Sequence, residues 1–254
     1  MIKKITLIGS GNVAYNLGNT FVEHDFEVVE VYSRTLSNAK SLSKKLNANS
    51  TDNLSKINTD SDLYVIAVKD DAIEQVAEQL DLKGKLVVHT SGSVGIEMLK
   101  NASRNYGSLY PLQTFTKTHK ADFSEIPICL EGNNEKNLKE LKKLAEKLTN
   151  RTVQLSSAQR QKLHLAAVFV SNFSNFMQVI GEELCEEQQV DFDLLKPLIK
   201  EVFEKNKTGR AIDNQTGPAL RGDSFTMEKH LGLLKDKKEL SELYQLISKM
   251  IGNR

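Results

Sequence analysis

Six residues near the start of the chain have the spacing of a phosphate cradle: Gly9-Ser10-Gly11-Asn12-Val13-Ala14, or G-x-G-x-x-A. In a dinucleotide-binding turn the first glycine allows a tight exit from the strand. The second brings bare backbone against a pyrophosphate, and the last small residue lets the following helix lie close on the strand. That helix turns free N–H groups and the positive end of its dipole toward the phosphates. Three small residues in six also arise by chance in a plain strand–helix turn. What gives this pattern meaning is its position, after an apolar run at 5–8 and ahead of a helical pattern. A second chemical signal is Ser33-Arg34-Thr35, after the next strand. An NAD-binding chain usually has an acid there for the ribose 2′-hydroxyl. Here the strand ends without one, Glu30 lies inside it, and Arg34 with two hydroxyls suits a 2′-phosphate. The plain alternative is a solvated loop arginine. The expected cofactor is therefore NADP, held by Gly9, Ser10, Gly11, Asn12, Val13, Ser33, Arg34 and Thr35. Val68, Lys69, Thr90 and Ser91 join them from the ends of two later strands.

The other chemistry-bearing residues lie in the last hundred. Residues 158–187 read as one long helix, apolar nearly all round, which predicts a buried helix. It nevertheless carries His164, Ser171, Asn172 and Asn175. At about 100° per residue, His164, Ser171 and Asn175 share a narrow arc and Asn172 lies roughly 80° aside. Such a stripe is either a set of satisfied core hydrogen bonds or the floor of a substrate pocket facing a nicotinamide. On the second reading His164 is the expected proton donor. Arg221, in Thr216-Gly217-Pro218-Ala219-Leu220-Arg221-Gly222-Asp223, could clamp a substrate carboxylate; otherwise this is a capped turn between helices. His89, at a strand end, is a further candidate donor, and His230 reads as an inert surface residue. No Ser/His/Asp set and no metal-ligand spacing stands out, and Cys129 and Cys185, far apart in sequence, read as buried thiols of a reducing cytoplasm.

The elements that must position these residues alternate. Strands are expected at 4–8, 26–32, 62–68, 85–89, 107–110, 126–130 and 152–155. Helices fall between them at 12–24, 37–46 (with Ser37 as cap), 72–80 and 134–148. That alternation predicts a Rossmann-type, doubly wound parallel sheet over residues 1–155. From 156 to 254 only helices are expected, at 158–187, 193–205, 224–234 and 238–251, and no linker rich in Pro or Ser separates the halves. With 254 residues, 34 Lys+Arg against 33 Asp+Glu and a formal net charge of +1, nothing in the charge favours nucleic acid or an anionic membrane. There is no unbroken run of 18 apolar residues, so no membrane span is expected, and the first strand leaves no room for a signal peptide.

The segments GSGNVA, VYSR, VVHTSGS, YPLQTF, LHLAAVFVSNF and TGPALRGD occur in this order. Together they resemble bacterial Rossmann-like NADP oxidoreductases with a helical C-terminal domain of unknown function. More distantly the layout is similar to pyrroline-5-carboxylate reductase and to the 6-phosphogluconate and 3-hydroxyacid dehydrogenases. The resemblance implies an NADP-binding domain ahead of a helical domain that dimerises. The hydroxyacid dehydrogenases use a Lys and a nearby Asn on the first long helix after the sheet. Asn172 or Asn175 matches the Asn, but no Lys lies one turn before either; His164 is the nearest titratable group. Two functions follow as expectations. One is hydride transfer between NADP(H) and a small, acidic carbonyl, imine or hydroxy acid, with substrate at the carboxyl edge of the sheet, between the domains. The other is a non-catalytic NADP-binding sensor or assembly protein. A homodimer through the helical domain is expected in either case.

Overall fold

In the computed structural model, residues 2–254 are described. Eight strands form one sheet: β1 (Lys4–Ile8), β2 (Glu27–Tyr32), β3 (Asn49–Thr51), β4 (Leu63–Ile66), β5 (Leu86–His89), β6 (Asn105–Pro111), β7 (Ile128–Gly132) and β8 (Thr152–Gln154). Their order is β3-β2-β1-β4-β5-β6-β7-β8. The first six strands run parallel, so the chain direction across the sheet reverses between β1 and β4. In open α/β sheets ligands bind at such a reversal, beyond the carboxyl ends of the strands.

Side chains alternate across this sheet as a two-residue period requires. Ile5, Leu7, Leu63, Val65 and Val88 enter one apolar core, together with helices α1 (Asn12–Glu23), α2 (Leu36–Leu46) and α4 (Glu135–Leu148). Ile8, Tyr64, Ile66 and Val87 enter a second core on the opposite face, with α3 (Ile73–Glu78). A strand such as β4 is therefore buried along its whole length, and its sequence is apolar without a polar face. The expected purely parallel sheet needs one correction: β7 pairs antiparallel with β6, and β8 then runs parallel to β7. Strand β3, only three residues and polar, was not legible at all. Helix α2 starts one residue before Ser37, with Thr35 in the cap position and no side-chain cap bond.

After β8 only helices follow. The long helix Ser157–Glu186 starts with a capping box: the Ser156 hydroxyl accepts from the Gln159 N–H, and Gln159 Oε1 accepts from the Ser156 N–H. It comprises α5 (Ser157–Ala167), one turn of wider π type (Val168–Phe173) and α6 (Ser174–Glu186). Contrary to expectation it is not buried: Phe169 is 58% exposed and Val170 71%. By length and composition it could also cross a membrane, with mean hydropathy 1.3 over an 18-residue stretch. Ser171, Asn172, Ser174 and Asn175 interrupt its apolar run, so the sequence shows no unbroken apolar stretch there.

The chain forms two compact units, Met1–Phe176 and Met177–Arg254, whereas the strand–helix alternation ends at β8. The first twenty residues of the long helix group with the sheet because Arg160 and His164 are bonded to it. The second unit adds α7 (Lys196–Thr208), α8 (Pro218–Arg221), α9 (Ser224–Leu233) and α10 (Lys238–Gly252). Pro197 stands in the first turn of α7, where its missing N–H costs nothing.

One glycine is indispensable to the reversal point. Gly9 has φ +131°, and a Cβ there would stand 2.2 Å from the Ala67 carbonyl oxygen. Backbone strain of this kind costs on the order of 1–3 kcal/mol before the clash with β4 is relieved. Gly9→Ala should therefore lower the denaturant midpoint markedly, and an unchanged midpoint would show that β1 and β4 can separate there.

Candidate functional site

A cleft of about 530 Å³ opens at the strand-order reversal. Its floor is the turn at 9–13, and its walls include Tyr32 at the end of β2 with Ser33 and Arg34 after it, Val68 and Lys69 after β4, and Thr90 after β5. No side chain caps α1, and its first turn carries no acid, so its N–H groups are open to an anion. A Cβ on Gly11 would meet nothing within 4 Å, leaving space for a ligand at the backbone itself. The two cations and the hydroxyls around that opening fit a phosphorylated dinucleotide.

The predicted cofactor residues divide by what their side chains do. Ser10 donates to the Ser33 hydroxyl at 2.9 Å, tying the turn to the end of β2. Asn12 donates to the Phe115 carbonyl at 2.9 Å, and one turn later Asn16 donates to Thr116. Thr35 is exposed at the start of α2 and does not line the cleft, and neither does Ser91. The Ser91 hydroxyl instead accepts from the N–H groups of Ser93 and Val94 and closes its own loop. Tyr32, Asp71 and Gln75 line the cleft without having been singled out in the sequence.

Beside the cleft, the loop after β5 is fastened to the long helix. Arg160 is 1% exposed. It donates to the carbonyls of Ser91 and Val94, to the Ser157 hydroxyl and to the Glu131 carboxylate of β7. Glu131 also accepts from the Ser157 N–H at 2.9 Å, and Ser93 donates to Asp70. Next to this network the His164 ring lies on Gly92, where an added Cβ would stand 2.6 Å from the ring. The Tyr110 hydroxyl is 3.0 Å from His164 Nδ1, and two turns further on the Thr114 and Ser171 hydroxyls are 3.0 Å apart. The stripe read from sequence thus faces the segment at 110–114 at two points.

Asn172 and Asn175 are exposed and make no side-chain hydrogen bond among the described residues. The π turn at Val168–Phe173, which contains Ser171 and Asn172 and precedes Asn175, explains part of this. A turn closed by longer bonds holds an extra residue, so positions beyond it leave the arc computed for an α-helix. Arg221 belongs to the second unit, exposed at the last residue of α8. Asp223 caps α9, accepting from the Thr226 N–H at 3.0 Å and its hydroxyl at 2.8 Å. His230 is bonded to the Tyr244 hydroxyl at 2.8 Å, so it is packed rather than a free surface group. Arg160, Tyr110 and Thr114 were missed. The one available signal was the capping box, which starts the helix at Ser157 and puts Arg160 one turn ahead of His164.

Residues 4–92 match the family described as NADP oxidoreductase, coenzyme F420-dependent, and residues 126–251 match the domain of unknown function DUF2520. A crystal structure from Bacteroides fragilis, described as a putative NADP oxidoreductase, is 37% identical over 100% of this chain and 99% of its own, with a TM-score of 0.93. An imine reductase from Myxococcus stipitatus in complex with NADP+ is 16% identical, with 98% and 92% covered and a TM-score of 0.70. A pyrroline-5-carboxylate reductase from Coxiella burnetii is 18% identical, with 100% and 97% covered and a TM-score of 0.61. No curated protein sequence matches the chain.

His89, the alternative donor, is wholly buried, and its Nε2 has no partner among the described residues. Its Nδ1 accepts from the Ser91 N–H at 3.2 Å. Burial, reinforced by the Arg160 charge, pushes its pKa down from 6.5 to about 4, so it is neutral at neutral pH and unsuited to give up a proton there. The unfolded chain takes up this proton below pH 6.5 and the folded one only near pH 4. Stability should thus be fully present above pH 6.5 and fall between the two values, by on the order of 3 kcal/mol. Denaturant unfolding at several pH values, on the intact protein and His89→Gln, measures this. A slope that persists in the variant would assign it to other groups.

Proposed function

The chain belongs to the NADP oxidoreductases that join a Rossmann-like domain to this helical domain, and on that premise we propose that it moves a hydride between NADP(H) and a small carbonyl, imine or hydroxy acid. The observation that carries the reading is the cleft at the strand-order reversal, where an open helix N-terminus, the bare backbone of Gly11 and Arg34 converge. The backbone at 9–13 holds the pyrophosphate and Arg34 with Ser33 holds the 2′-phosphate. The cofactor, when bound, supplies or accepts the hydride; the chain orients it and manages the proton. His164 is the donor in this reading, supported by its half-buried ring and its hydroxyl partner. Imine and pyrroline-5-carboxylate reduction by proteins of the same fold favours a carbonyl or imine as the group reduced. A non-catalytic NADP-binding protein is the second reading, favoured by the lack of a Lys one turn before Asn172 or Asn175.

We also propose a homodimer. Phe169, Val170, Phe173 and Phe176 stand between 48% and 71% exposed on one helix, and in the second unit Leu198, Phe225 and Leu233 are exposed as well. Apolar surface of this extent marks an interface of the obligate kind.

Three measurements test these proposals. Keto acids and cyclic imines offered with NADPH should give loss of nicotinamide absorbance, and His164→Gln should slow it roughly 10²–10⁴-fold. NADPH binding without turnover of any substrate would favour the second reading. Arg34→Ala should weaken NADPH binding by on the order of 1.5–3 kcal/mol while NADH binding hardly changes. Equal affinity of the intact protein for both cofactors would remove the assigned role of Arg34. Light scattering at micromolar concentration should give twice the chain mass; a monomer would refute the dimer.

A further inference from the structure

The His164 ring is held by two different elements. From β6, the Tyr110 hydroxyl lies 3.0 Å from Nδ1, with the two rings 6.0 Å apart and nearly perpendicular. From the loop after β5, Gly92 presents backbone so close that a Cβ would meet Cγ and Nδ1 at 2.6 Å. Both contacts fall on the Nδ1 side of the imidazole. Tyr110 is 8% exposed, and burial pushes its phenol up to about 12; among nearby groups Cys129 and Asp70 push the same way and Arg160 opposes them. Tyr110 therefore keeps its proton throughout the neutral range.

A neutral imidazole carries one N–H, and the nitrogen that accepts a hydrogen bond cannot be the one that bears it. We propose that Tyr110 is a positioning residue whose hydroxyl occupies His164 Nδ1 and so makes Nε2 the nitrogen that exchanges a proton with a bound ligand. This rests on the reading of His164 as donor. A hydroxyl serves both protonation states because it has one hydrogen and two lone pairs. Toward neutral imidazole it donates to Nδ1, and toward imidazolium it accepts from Nδ1–H. In a reduction with NADPH as the reductant, His164 enters the step as imidazolium, protonated from water, with its Nδ1–H donated to the Tyr110 oxygen. The ligand oxygen or nitrogen that gains the electron pair takes the Nε2 proton. His164 is left transiently as the neutral Nδ1–H form. Proton exchange with water at the two nitrogens restores the resting Nε2–H form, to which Tyr110 donates, and Tyr110 ends with its own proton. A phenylalanine at this place would fill the same space and do neither job.

The test reads the tautomer directly. With histidine labelled by ¹⁵N in the whole protein, the His164 signals are identified as those missing from His164→Gln, one of five histidines. In the protein without added cofactor, neutral His164 should show its proton on Nε2, and Tyr110→Phe should convert it to a mixture of tautomers. In turnover, Tyr110→Phe should lower kcat about 10–100-fold, as expected for a lost hydrogen bond to a charged group, with KM for NADPH within twofold. An Nδ1–H tautomer in the intact protein, or a tautomer unmoved by Tyr110→Phe, overturns the proposal. Failure of the donor reading looks different: His164→Gln would then turn over at the intact rate, while the labelled imidazole still reports whether Tyr110 orients it.

Discussion

A single buried guanidinium joins the parts of this site. Arg160, one turn into the long helix, reaches a loop nearly seventy residues earlier in the chain and a carboxylate on β7. Taking such a charge out of water costs several kcal/mol, and pairing with Glu131 offsets this only because the other donors also find acceptors. The Ser91 and Val94 carbonyls and the Ser157 hydroxyl meet that requirement. Remove the guanidinium and two carbonyls lose this donor, while the partly buried Glu131 carboxylate keeps only its uncharged Ser157 donors. The arrangement fixes the loop against the helix more firmly than apolar contact would, since hydrogen-bond geometry tolerates little displacement. Gly92 can then lie directly on the imidazole of His164.

The loop after β5 is thereby shared between two tasks. Thr90, at its start, lines the cleft of the glycine-rich turn, while Gly92 and the Ser91 carbonyl belong to the helix contact. The end of β6 and the segment after it are shared likewise. Tyr110 and Thr114 meet the helix, and Phe115 and Thr116 are held by Asn12 and Asn16 of α1. The glycine-rich turn with the first turns of α1 and the surroundings of His164 are therefore tied to the same two short segments of chain.

The sequence made the cofactor side legible because its determinants are local. The turn at 9–14 depends on residues within one strand–helix junction, and the alternation of β1, β4 and β5 is written residue by residue. The helix side was legible only in outline. His164 and Ser171 declared themselves as polar residues in an apolar helix, and both do meet the sheet unit. Their partners could not be read, because Tyr110 and Thr114 lie more than fifty residues away. Nor does periodicity reveal the reversal of β7, which leaves an ordinary apolar strand pattern in either direction. The π turn defeats the arc calculation for Asn175 in the same way: helical angle is a local rule, and one wider turn shifts every later position. Burial misled most, because an apolar helix demands cover without saying whether its own chain supplies it.

His89 and His164 show why residue type alone decides little. Both belong to the sheet unit and both are tied to the loop after β5, through Ser91 N–H and through Gly92 respectively. His89 is sealed within the sheet, and its Nε2 faces no partner among the described residues. Protonating it would bury a charge near Arg160, which the Gly95 backbone and Asp70 offset only in part, and its pKa falls to about 4 accordingly. His164, half-buried on the helix, has a hydroxyl on one nitrogen and its other nitrogen unbonded among the described residues. The two imidazoles are thus separated in chemistry by surroundings, one kept neutral as part of the core and the other provided with a group that supports either protonation state. The same loop that buries the first orients the second, so the division follows from the fold rather than from the histidines themselves.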